Sequence, residues 1–128
     1  DLLEEQKKSF TSDLVYSIEK TISWEKLDNT AKINLYRILQ ESLQNSNKYA
    51  NAKTVTVSFL ETEENIVMKV EDDGIGFDVN KKKKGIGLKN MISRTEESKG
   101  KYEIISEQGK GTLTTVSIPY NKKSPTQT

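Results

Sequence analysis

KTVTVSFLETEENIVMKVEDDGIGFD, residues 53–78, decides the architecture. Across 53–60, Val55, Val57 and Phe59 fall on one face of an extended chain, the period-two pattern of a half-buried strand. IVMKVE, at 66–71, reads as a second strand, and the Glu-rich stretch 61–65 between them as a hairpin turn. Two strands joined this tightly pair antiparallel, which excludes a doubly wound fold with strict alternation of strand and helix.

Upstream lies the strongest helical pattern, AKINLYRILQESLQNSNKYA at 31–50, with Asp28, Asn29 and Thr30 offering N-caps and Asn51 an end. On its wheel Leu35, Leu39, Leu43 and Tyr36 share one side, and Arg37, Glu41, Asn45 and Lys48 share another. Before it, LVYSI at 14–18 suits a short strand, and 22–24 extends that region as a hairpin or loop. Downstream of DDGIGFD come a lysine run, a second helix from GIGLKNMISR to Gly100, and strands YEIIS and TLTTVSIPY joined by the turn QGKG. The order is strand, helix, strand, strand, helix, strand, strand. It predicts an α+β domain: a two-layer α/β sandwich whose mixed, mostly antiparallel sheet carries both helices on one face.

At 128 residues the chain fits one domain, expected over 13–120, with 1–12 the end of an upstream helix or linker and 121–128 a tail. Asp rather than Met at position 1 suggests a piece cut from a longer protein. A net charge of +1, with lysines and acids interleaved, offers no broad field for nucleic acid or an anionic membrane. There is no cysteine, hence no disulfide or thiolate chemistry. There is no histidine, hence no imidazole base, metal ligand or phosphohistidine within the chain. No apolar run approaches the roughly 20 residues that span a bilayer.

Four elements can carry chemistry. Glu41, Asn45 and Lys48 put a carboxylate, an amide and an ammonium on one helix face, able to hold hydrated Mg²⁺ and the phosphates it bridges. The same face also suits a solvated stripe with pairs such as Arg37 to Glu41. Asp72, at the end of a strand, can accept a hydrogen bond from an exocyclic amine, and Gly74 and Gly76 let the backbone turn and approach a ligand, or make an ordinary turn. Gly85, Gly87 and Leu88 open the second helix, where unpartnered amides and the helix dipole favour phosphate. Lys81 to Lys84, between the two glycine elements, reads as a solvated loop or a basic lid, and Gly109, Gly111 and Thr112 as a turn before the last strand.

Taken in order, these elements resemble the GHKL, or Bergerat-fold, ATPases, and more narrowly the catalytic domain of two-component sensor histidine kinases of the nitrate-sensor type. LYRILQESLQNSNKYANA resembles the family's N box, DDGIGFD its first glycine box, GIGLKNMISR its second, and QGKGTLTTVSIPY its terminal hairpin; the likeness runs over roughly 13–120. It implies Asn45 as Mg²⁺ ligand, Lys48 near the phosphates, Asp72 reading the adenine amino group and Thr112 supporting that end. It implies Gly74 and Gly76 making room for the nucleotide, and Gly85, Gly87 and the Leu88 amide meeting the phosphates. Glu41 stands where the family's ATPases carry a water-activating base. Two departures are a Tyr at 49, where this sub-family often has His, and a short lid between Gly76 and Gly85.

The resemblance implies a cytoplasmic protein histidine kinase domain. It would bind ATP with Mg²⁺ and pass the γ-phosphate to a histidine on a separate dimerisation domain of a homodimeric parent, with a response regulator downstream and no nucleic acid. Two alternatives share the motifs: a serine kinase of the anti-sigma-factor type, and a non-catalytic module in which ATP orders the lid for a partner.

Overall fold

The computed structural model describes residues 13–18, 22–48, 52–76 and 88–120. Among these residues five strands and two α-helices follow one another as β1 (Asp13–Ile18), α1 (Asn29–Lys48), β2 (Thr54–Glu61), β3 (Asn65–Asp72), α2 (Leu88–Glu97), β4 (Lys101–Glu107) and β5 (Gly111–Pro119). The strands form one sheet in the order β1-β2-β3-β5-β4. β1 runs parallel to β2, which the long connection through α1 allows, and every other pairing among the described strands is antiparallel. This is the expected mixed, mostly antiparallel sheet.

Alternation builds the sheet's inner face. Val55, Val57 and Phe59 of β2, Ile66, Met68 and Val70 of β3, and Val116 and Ile118 of β5 are all buried, and cross-strand pairing aligns them. Against this face lies a stripe of α1 running from Ala31 through Leu35, Ile38 and Leu39 to Leu43, with Leu88 and Met91 of α2 beside it. Each such side chain taken from water stabilises the fold by roughly 1.5–3 kcal/mol for the larger aliphatics.

α1 starts at the expected cap. Oδ1 of Asp28 accepts the amide of Ala31 at 2.7 Å, satisfying a donor that the first turn leaves without a partner. Tyr36 corrects the wheel: it is 47 % exposed, and Ile33 beside it 55 %. The buried stripe centres nearer Ile38, and two residues on a 3.6-residue helix separate Tyr36 from it by about 160°. The end expected at Asn51 lies outside the described residues. Residues 22–24 form no hairpin; Trp24–Lys26 is a single 3₁₀ turn.

That turn is latched at one end of the sheet. Glu61 accepts the Ser23 amide at 3.0 Å and the Tyr120 hydroxyl, and Trp24 meets Phe59 edge-on at 5.4 Å. The hydrogen bond from Tyr120, then that from Ser23, holds the Glu61 carboxyl below its usual range. α1 and α2 are tied by Asn34, whose buried amide donates to Glu97 and Ser98 at 2.8 Å each. α2 ends at Glu97 rather than Gly100, in a Schellman reversal: Lys99 N donates to Glu96 O, Gly100 N donates to Thr95 O, and Lys99 takes φ 60.

Candidate functional site

The opposite end of the sheet gathers several of the residues that the sequence singled out, Asp72, Gly74, Gly76 and Thr112 among them. Asp72 is the last residue of β3 and faces the helices, in one cross-strand row with Val55 of β2, Thr112 of β5 and Ser106 of β4. It is only 7 % exposed. An acid this deeply buried needs hydrogen-bond partners. Oδ2 accepts the Ser46 hydroxyl at 2.9 Å and Oδ1 accepts the Gly74 amide at 3.0 Å. A carboxylate has about four lone-pair positions, so the described residues leave two of them to a further donor.

Thr112 pairs directly across from Asp72, and its hydroxyl lies 2.7 Å from that of Ser106. Gly111 and Thr112 belong to β5 rather than to the turn, which is residues 108–110.

The two neighbouring acids have different tasks. While Asp72 turns inward, Oδ1 of Asp73 accepts the amides of Lys53 and Thr54 at 2.8 and 2.9 Å, fixing the start of β2 to the loop after β3. The Thr54 amide is the main cause that holds the Asp73 carboxyl below its usual range.

The glycines of this region serve backbone against backbone. Gly76 sits at φ 65, where a Cβ would fall within 3.0 Å of the Glu107 carbonyl oxygen, and the Gly109 amide donates to Ile75 O. The loop after β3 is therefore clamped by the β4–β5 turn, a reason for glycine at 76 that is independent of any ligand. Gly74 is buried beside Asp72.

α1 approaches from above. Glu41 and Asn45 are half-buried and one turn apart, and Arg37 on the same stripe is exposed. Asn45 precedes Ser46, whose hydroxyl on the adjoining buried stripe touches Asp72 near the end of α1. Lys48 ends α1, and its side chain lies outside the described part. Gly85, Gly87 and the lysines at 81–84 also lie outside it. Leu88 is the first residue of α2, its side chain fully buried. Among the described residues no group of three or more His, Cys, Asp or Glu could hold a metal ion by itself.

Sequence reasoning passes over Ser46, Asp73 and Ser106. For Ser46 a signal exists: it continues the buried stripe from Ile38 and Ser42, and a hydroxyl there must find a partner.

Three comparisons bear on this arrangement. The model of the histidine kinase-, DNA gyrase B- and HSP90-like ATPases matches residues 30–122. The sensor protein VraS of Staphylococcus saprophyticus is 31% identical over 124 residues, covering 96% of this chain and 35% of that protein. The oxygen sensor histidine kinase NreB of Staphylococcus carnosus is 37% identical over 99 residues, covering 76% of this chain and 28% of that protein. The chain thus spans about a third of the length of these curated relatives. Among solved structures, the blue-light activated histidine kinase of Erythrobacter litoralis EL346 superposes with TM-score 0.79 at 14% identity, covering 95% of this chain and 40% of that one. The catalytic domain of histidine kinase ThkA superposes with TM-score 0.71 at 16% identity, covering 93% and 85%. These likenesses share the fold described above. The match to the family model covers most of the chain, which belongs to the histidine kinase-, DNA gyrase B- and HSP90-like ATPases.

Proposed function

We propose that the chain is the ATP-binding catalytic domain of a sensor histidine kinase of the nitrate-sensor type. The observation that carries this reading is the buried Asp72 carboxylate, oriented by Ser46 and Gly74 and still able to accept the amino group of adenine. Thr112 supports that end of the base. The sensor proteins among its relatives favour this over the serine-kinase and non-catalytic readings.

The donor set fits Mg²⁺ bound together with phosphates. Asn45 offers a hard amide oxygen, and Mg²⁺ keeps most of its waters, so one protein ligand suffices where no carboxylate cluster exists among the described residues. The ion would neutralise charge on the β- and γ-phosphates. Lys48, Gly85, Gly87 and the Leu88 amide at the start of α2 would meet those phosphates, using the dipole of the helix. Gly74 and Gly76 would let the backbone pass close to the nucleotide, and Glu41 is the candidate base.

In the reaction the γ-phosphorus exchanges its bond to the ADP oxygen for one to an imidazole nitrogen, and ADP leaves. The imidazole belongs to another domain, because the chain has no histidine. We assign it to a dimerisation domain of a homodimeric parent, with a response regulator as the next acceptor and the cytoplasm as the location, where ATP is supplied. No helix among the described residues is long and apolar enough to cross a membrane. Nucleic acid has no part in it. Residues 13–120 form the domain, with 1–12 leading in and 121–128 trailing.

The test supplies a histidine-bearing dimerisation domain and γ-labelled ATP. Acid-labile label is expected on the added domain and none on this chain, and Asn45→Ala is expected to abolish Mg²⁺-dependent transfer. Label retained on this chain, or transfer that is indifferent to Asn45→Ala, contradicts the reading.

A further inference from the structure

The hydrogen bond between Ser46 and Asp72 joins the two halves of the site, helix and strand. We propose that Ser46 is a positioning residue for base recognition: its hydroxyl fixes the plane of the Asp72 carboxylate, so that the open lone pairs face the 6-amino group of the purine. The inference rests on the nucleotide reading and deepens it.

The terminal torsion of an aspartate is broad, so one hydrogen bond leaves the carboxylate plane free to swing. Gly74 N holds Oδ1 at 3.0 Å through the following turn; Ser46 Oγ holds Oδ2 at 2.9 Å from the helix above. Anchors on both oxygens define the plane. They come from different elements, and each side chain is buried, Ser46 at 4% exposure and Asp72 at 7%. Burial makes the pair's electrostatics count for more than at a surface. A helical serine can instead bond the carbonyl one turn back, and here it reaches across to the strand.

Position adds a second consequence. Ser46 follows Asn45 in α1, so the residue that orients the base-reading acid is one step from the residue assigned to the metal. Base and phosphate ends are thus held in register by a single turn of helix. The hydroxyls of Thr112 and Ser106 are engaged with each other, which leaves Ser46 as the hydroxyl bonded to Asp72 among the described hydrogen bonds.

The experiment measures calorimetric affinities of this chain for Mg-ATP and for the Mg complex of purine riboside triphosphate, which lacks the 6-amino group. Wild type is expected to prefer ATP. Ser46→Ala, nearly isosteric and favourable in a helix, is expected to lose about tenfold in that preference, mostly through weaker ATP binding. Ser46→Thr restores the hydroxyl and is expected to keep the preference, whereas Ser46→Val, equal to Thr in shape, loses it. That pair decides the matter should Ser46→Ala fold poorly. The proposal is overturned if Ser46→Ala keeps the wild-type preference, if both nucleotides weaken equally, or if the Thr and Val variants behave alike. Failure of wild-type protein to bind ATP, or to prefer it, strikes instead at the nucleotide reading on which the proposal stands.

Discussion

Gly111 lies directly against the backbone of Asp72: a Cβ built on it would fall within 3.0 Å of the Asp72 carbonyl oxygen. Gly109, two residues earlier, has almost the same φ, 84 against 88, with nothing within 4 Å of the place a Cβ would take. The two glycines separate conformational strain from steric exclusion. Gly109→Ala should lower stability by about 1 kcal/mol, the strain of a left-handed L-residue alone. Gly111→Ala adds a backbone clash and should lower it by about 2–4 kcal/mol while displacing Asp72. Urea unfolding of the two variants checks this, and equal losses would refute the close approach.

Acid should weaken the fold through named carboxyls. The folded pKa values of Asp73 and Glu61 lie below their ordinary values of 3.8 and 4.5. Their contribution is therefore present above those ordinary values and lost as pH falls through the lower folded ones. Asp73→Asn should lower the urea midpoint at pH 7 and flatten its decline between about pH 5 and pH 2. A decline as steep as the wild type's would assign the acid limb to other groups.

Lys99 occupies the left-handed position at the end of α2, where glycine is the usual residue, with φ 60. Lys99→Gly should raise stability by about 0.5–1 kcal/mol, strain relief exceeding the extra freedom of the unfolded chain. A thermal melt reads the result directly, and a lower melting temperature would mean that the Lys99 side chain contributes more than its backbone strain costs.

Local features of this molecule are legible in its amino-acid order. Alternation exposes Val55, Val57 and Phe59 as core, the leucines of α1 announce its buried side, and Asp28 marks where the helix begins. What escapes is relational. That β5 rather than β4 lies beside β3 depends on α2 crossing over the sheet, which no periodicity encodes. A wheel puts Tyr36 on the apolar side because wheels score residue type, while packing selects the arc centred near Ile38. Its place at the end of a strand singles out Asp72, and the family resemblance Thr112, yet their cross-strand pairing, and the hydroxyl that Ser46 presents, arise only once distant segments meet. Gly76 is a related case: its side-chain-free Cα is required by the backbone of Glu107, far along the chain.

The most direct measurement is isothermal titration of Mg-ATP into wild-type chain and Asp72→Asn. Asn keeps the volume and one acceptor but removes the charge, and a hydrogen bond to a charged group is worth roughly 1.5–3 kcal/mol. The account predicts one site in the wild type and an affinity lower by about 10- to 100-fold in the variant. No heat of binding in the wild type, or unchanged affinity in Asp72→Asn, would contradict it.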